Sequence, residues 1–301
     1  MAIIANPIYD SVFKYLMEDQ RVAKVVLSNL LQRNVVEVTM RSNEYTQKLK
    51  DDISVLRIDF GAKIRDDDGE IENVNIELQK AWLTSEIIRF RNYLAQQYQS
   101  QDNKFIISDK PLYEKPLHIV NIYLLGHEVA NLENPVTYEY PRMFDQFGNL
   151  VDDTIKNVDF ANELIHDMII VQIPRLKKSS VVTKLDKLLM LFDQTQKMQN
   201  EHQLRVEEES VSMEHKCVFN RLIQANSDED ICRQMQVEDE FQSVLDSYEL
   251  EKSEAKETIK KQKATIAEQK TMIAEQKEAL ANKDAQLEKY KEKLRSLGLL
   301  D

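Results

Sequence analysis

Asp59, Glu77 and Gln79 are the residues of this chain whose types and spacing point most directly to chemistry. Two carboxylates set side by side repel one another and raise one pKa unless a cation lies between them. Mg²⁺ suits such a pair, with Mn²⁺ as its substitute. It takes hard oxygen ligands at about 2.0–2.1 Å and is often held by one or two carboxylates together with water and substrate phosphate. Gln79 adds a neutral amide that can orient a water but brings no charge. The competing reading is a solvated polar face of a hairpin that binds nothing.

A strand alternation in RIDFGAKIRDDDGEIENVNIELQK, residues 57–80, must position these groups. Leu56, Ile58, Phe60, Ala62 and Ile64 alternate with Arg57, Asp59, Gly61 and Lys63, and Val74, Ile76 and Leu78 alternate with Asn73, Asn75, Glu77 and Gln79. This is the period-two pattern of half-buried strands. Asp66-Asp67-Asp68-Gly69 between them offers a glycine that adopts positive φ at little steric cost, so the two runs read as a hairpin. With Asp67, Asp68 and Gly69 as its loop, Asp66 pairs with Glu70 and Asp59 falls opposite Glu77. Directly paired residues have Cβ atoms about 4.5–5.5 Å apart.

Around the hairpin the chain reads as α/β with a mixed sheet. Residues 10–32 place Val12, Phe13, Leu16, Val22, Val25, Val26 and Leu30 at helical spacing, with Asp10 or Ser11 as cap. Residues 35–46 read as a first strand, Ser85 to Ser100 as a helix and HIVNIYLL, residues 118–125, as a buried strand. Further strands are expected around Val136 to Tyr140 and Asp167 to Pro174, with a helical pattern from Val181 onward.

Composition narrows the class. The 301 residues are 42 % hydrophobic, enough for a sizeable core. Cys217 and Cys232, without a CxxC pattern, argue against a disulfide framework or structural zinc and for a reducing, cytoplasmic setting. His127-Glu128 is followed by Asn131 where a zinc-protease helix needs a second histidine. The opening MAIIANPIYD is unlike a signal peptide, and no apolar run approaches the roughly 20 residues that cross a bilayer, so no membrane partner is expected. Net charge is −12, concentrated in residues 201–251, whose 14 acidic and 4 basic side chains give −10. The N-terminal region shows no basic stripe, which weakens tight non-specific DNA binding. Carboxylates that bind metal, however, count as negative only when empty.

From Ile259 onward, Ile259, Ile266, Ile273, Leu280, Leu287 and Leu294 recur every seven residues. The second seam position holds Gln262, Gln269 and Gln276 or, in the other register, Lys263, Lys270 and Lys277, so a coiled coil here is weak. It supports a homo-oligomer through residues 251–297; the alternative is a solvated single helix.

NPIYDSVFKYLMED, the hairpin block, RFRNYLAQQY and HIVNIYLLG, in this order and spacing, resemble the PD-(D/E)XK nuclease family of transposases, also called the recombination-promoting nuclease family. The likeness spans roughly the first 175 residues, within one domain's size. It implies a restriction-endonuclease-like core, which takes in residues 1–178; the charge and heptad patterns then set an acidic helical region, 179–250, and the coiled-coil tail, 251–297, after it. It also implies Mg²⁺-dependent hydrolysis of DNA linked to recombination or a mobile element. Asp59 and Glu77 match the family's metal-binding carboxylates, and Gln79 matches the position that is lysine in the name-giving motif. Asp10 and Lys14 match the polar positions of its opening helix, although a cap and a surface charge explain them equally. Arg89 and Tyr93 match its R-x-x-x-Y, although they lie four apart on one helical face and could simply support the sheet.

Glutamine in place of lysine loses a charged donor that orients the attacking water and stabilises the pentavalent phosphate. Lys80 turns to the other face, and Lys63 lies about 13 Å away along the strand. A retired nuclease fold that acts as a binding or assembly protein through its helical tail is therefore the alternative function. Trp82, just past the motif, reads as packing or as a base-stacking platform.

Overall fold

Period-two alternation produces strands here because each run has one apolar face to bury. The computed structural model describes residues 1–41, 55–65, 69, 71–81, 87–100, 104–106, 114–140, 142, 144–150, 164–176 and 183–296. For residues 41, 55–59, 71–73, 75, 77–81, 89, 93, 97, 104–106, 114, 115, 245, 246, 248 and 249 it describes the backbone course alone. Asp66, Asp67, Asp68, Glu70, Trp82 and Ser85 lie outside the described residues. Gly69 has φ +87°, the conformation the hairpin loop asks of a glycine.

A six-stranded sheet organises the fold in the order β2-β3-β4-β7-β9-β8. Its strands are β2 (Asn34–Arg41), β3 (Val55–Arg65), β4 (Ile71–Ala81), β7 (His118–Leu125), β8 (Val136–Glu139) and β9 (His166–Gln172). The first three form an antiparallel meander. β7 then pairs parallel to β4, which requires a crossover connection, and the helix α3 (Ile87–Gln99) falls within it. β9 is parallel to β7 and antiparallel to β8. Short pairs complete the strands: β5 (Lys104–Ile106) with β6 (Glu114–Pro116), and β1 (Ala2–Ala5) with β10 (Gln203–Val206). The architecture is mixed α/β, as the alternation of elements predicts.

The sheet has two unlike faces. On one, Phe60, Ile64, Val74, Ile76, Val120, Ile122, Ile169 and Val171 join a continuous core with residues of the N-terminal helices. On the other, Tyr123 and Leu125 pack with Phe90, Met168 and Ile170 in a smaller cluster. The Phe90 ring from α3 lies 4.8 Å, centroid to centroid, from that of Tyr123. Cover on both faces explains why β7 is buried along almost its whole length and apolar at most positions.

The helical pattern over residues 10–32 is two helices, α1 (Asp10–Glu18) and α2 (Gln20–Leu31). Asp19 breaks them apart with an extended backbone, and its side chain caps α2 by accepting from the Arg21 N–H. The Arg21 guanidinium hydrogen-bonds the same carboxylate and, with the cap, lowers its pKa to about 2. The backbone N–H groups of Asp10 and Ser11 donate to Glu238, 2.6 and 2.9 Å away, so a distant carboxylate caps α1.

Beyond residue 183 the chain is less helical than its pattern predicts. The short α4 (Lys184–Leu189) opens with a Thr183–Asp186 capping box and gives way to 3₁₀ turns and then β10. α5 (Lys216–Asn226) buries Val218, Phe219, Leu222 and Ala225, and α6 (Glu229–Ser296) follows. The chain divides into two units, Met1–Glu238 and Asp239–Asp301. Residues of the acidic segment thus lie within the first unit, where Leu204, Phe219 and Leu222 are part of the core. The described part of the second unit is the remainder of α6, along which the heptad residues are exposed, from 38 % at Leu294 to 62 % at Leu280. Among the described residues no helix is long and apolar enough to cross a membrane.

Candidate metal centre

The β3–β4 register sets Asp59 opposite Glu77, as the hairpin count predicts. The parallel pairing extends this row, because Glu77 neighbours Asn121 on β7 and Asn121 neighbours Met168 on β9. Gln79 falls in the next same-face row, between Arg57 and Tyr123. Alternation assigns both rows to the face that carries Tyr123, opposite Phe60 and Ile76. Asp59, Glu77 and Gln79 are thus brought together as strand positions, and their side chains lie outside the description, as do those of Arg89 and Tyr93 on α3. Asp10 opens α1, and Lys14 follows it one turn later.

Asn121 is the residue that sequence reading overlooks. It is fully buried, and neither its Nδ2 nor its Oδ1 has a hydrogen-bond partner among the described residues. An amide left so in a packed sheet costs about 1–3 kcal/mol. The signal was one polar residue inside HIVNIYLL, which an apolar strand pattern absorbs without comment.

By residue type, this row has the chemistry of a hard-oxygen donor set. Two carboxylate positions face one another across adjacent strands, and the next strand contributes an amide whose acceptor and donors are both open. Such hard oxygen donors suit Mg²⁺ or Mn²⁺. Among the described residues no group of three or more His, Cys, Asp or Glu side chains could hold a metal ion. Lys63 is engaged elsewhere, its Nζ 2.6 Å from Glu37 Oε2 on β2.

The row continues into a cavity of about 340 Å³ lined by Tyr98, Glu139, Leu164, Ile165, His166 and Met168. Tyr98 Oη lies 2.9 Å from His166 Nδ1. Burial lowers the His166 pKa and raises that of Tyr98, so both groups favour their neutral forms. Comparison of the chain with protein-family models, with curated proteins and with solved structures finds no match.

Proposed function

We propose that the protein is a divalent-metal-dependent nuclease that hydrolyses DNA phosphodiester bonds in the cytoplasm, in recombination or in the service of a mobile element. The observation that carries this reading is the Asp59–Glu77 register, continued by the unsatisfied amide of Asn121. The succession α2-β2-β3-β4-α3-β7, an antiparallel meander followed through a helix by a parallel strand, supports a restriction-endonuclease-like core.

Asp59 and Glu77 would hold the cation. When bound, Mg²⁺ or Mn²⁺ polarises the phosphate and lowers the pKa of water. Gln79 would orient the attacking water by accepting its O–H at Oε1, and its Nε2–H would face the phosphate as a neutral donor. A neutral donor stabilises developing phosphate charge less than a lysine does, so turnover is slow.

Plasmid nicking and linearisation in Mg²⁺, Mn²⁺ and EDTA tests this. Cleavage should need metal, and Asp59→Ala and Glu77→Ala should each lower it by about 100-fold or more, on the scale of removing a transition-state stabiliser. Folded wild-type protein that cleaves in no metal favours the second reading, an assembly module. That reading draws on the exposed heptad residues of α6, which would join copies of this chain through residues 251–297. Solution mass measured with and without those residues decides it, and an unchanged monomer removes it.

A further inference from the structure

We infer that Asn121 is a positioning residue of this site, its amide reserved for the hydrated divalent cation and the Glu77 carboxylate; this rests on the metal-site reading above. The chain itself supplies the control, because it satisfies its other buried amides. Gln172, also fully buried, accepts from the Val129 N–H and donates to the Leu132 and Asn134 carbonyls. Asn6 donates to Gln194 and to the Glu201 carbonyl, and accepts from the Ile8 N–H. Asn29 donates to the Val25 carbonyl. Of the buried Asn and Gln residues described, Asn121 alone has neither donor nor acceptor engaged.

Its place is the second observation. β7 is otherwise apolar from Ile119 to Leu125, apart from the Tyr123 hydroxyl, and a leucine at position 121 would bury without leaving orphaned groups. The one amide in this strand stands in the Asp59–Glu77 row, beside Glu77. Neighbouring strands lie about 4.8 Å apart, so a residue in this position is within reach of whatever Glu77 binds. An amide suits the place for a chemical reason. Its Nδ2–H can donate to the carboxylate oxygen that the cation leaves free, and its Oδ1 can accept from water in the cation's shell. Apolar residues do neither, and a lysine would repel the cation.

The test titrates Mn²⁺ alone into the full-length protein and follows thermal unfolding, a readout independent of cleavage. Wild type should gain thermal stability with Mn²⁺. Asn121→Leu should melt no lower than wild type without metal, while its Mn²⁺ midpoint weakens about 10–100-fold, as loss of an outer partner does. Asn121→Asp, which keeps an acceptor, should restore the midpoint to within about tenfold of wild type, the lower bound of that loss. If Asn121→Leu melts lower without metal but keeps the wild-type midpoint, the amide is structural and the inference falls. Should Asn121→Leu fail to fold, Asn121→Ser decides by the same titration, and an unchanged midpoint overturns the inference. Asp59→Ala separates the two claims. If it abolishes the Mn²⁺ response while Asn121→Leu keeps it, only the role of Asn121 is lost; if Asp59→Ala also keeps it, the metal site itself is lost.

Discussion

The two faces of the central sheet are built from the same strands and carry different residues. Phe60, Ile76 and Val120 form one register row, buried in the main core. One residue back on β3 and one forward on β4 and β7, the row is Asp59, Glu77 and Asn121. A single-residue step along a strand exchanges a face that stabilises the fold for one that carries two carboxylates and an unsatisfied amide. The difference teaches that a core row and a polar row can stand one residue apart on the same strands.

Phe60→Ala against Asp59→Ala is the sharpest way to break that comparison. Phe60 is fully buried, and its truncation should cost about 3–5 kcal/mol of unfolding free energy through lost transfer and a residual cavity. Asp59→Ala should change stability by no more than about 0.5 kcal/mol. The change should be upward, because like charges directly opposite on paired strands are destabilising. Urea unfolding of both variants checks this. A loss of several kcal/mol in Asp59→Ala would make Asp59 a structural residue and dissolve the contrast.

How polar groups survive in the main core gives a second, smaller effect. His215 is 1 % exposed, with Nδ1 3.0 Å from Ser212 Oγ and Nε2 3.4 Å from Asn29 Oδ1. Burial is the main cause that lowers its pKa below the usual 6.5. The folded state then binds fewer protons than the unfolded state as pH falls below about 6.5. Stability is therefore full above that pH and declines as the solution is acidified. His166 shifts in the same direction, so His215→Gln should flatten, without abolishing, the fall in melting temperature between pH 7 and 5. An unchanged slope would mean that His215 takes up its proton equally in the folded and unfolded states.

Legibility in the sequence followed the range of the forces involved. The β3–β4 hairpin and its register were readable because alternation and a Gly69 turn are local signals. HIVNIYLL matches β7 residue for residue because both its faces are covered. The β1–β10 pairing, Ala2 with Val206 through Ala5 with Gln203, was not readable. Its strands are four residues long and lie about 200 positions apart, so no local pattern announces them. The break at Asp19 was hidden by a helical period that runs through both helices, although an aspartate just before Gln20-Arg21 is a usable cap signal. Of the candidate site, the two carboxylate positions came from alternation plus loop length. Asn121 could not, because its meaning lies in the absence of partners, a property of the packed sheet.

The smallest expected effect lies at the edge of the same polar-row face. Lys63 is the lysine of β3 and stands on the same face as the Asp59 position, so it is a residue that a charge-based account would recruit beside the neutral Gln79. Its Nζ instead meets Glu37 Oε2 at 2.6 Å, with the two side chains 48 % and 57 % exposed. An ion pair so open to water is worth about 0–1 kcal/mol, and less as salt rises. Lys63→Ala should therefore lower stability by under about 1 kcal/mol at low ionic strength, and by less at high salt. It should also leave metal-dependent cleavage and the Mn²⁺ midpoint of wild type intact, since its partner belongs to β2 and not to the Asp59–Glu77 row. Cleavage lost in Lys63→Ala at unchanged stability would bring Lys63 into the chemistry and extend the functional part of this face to its edge.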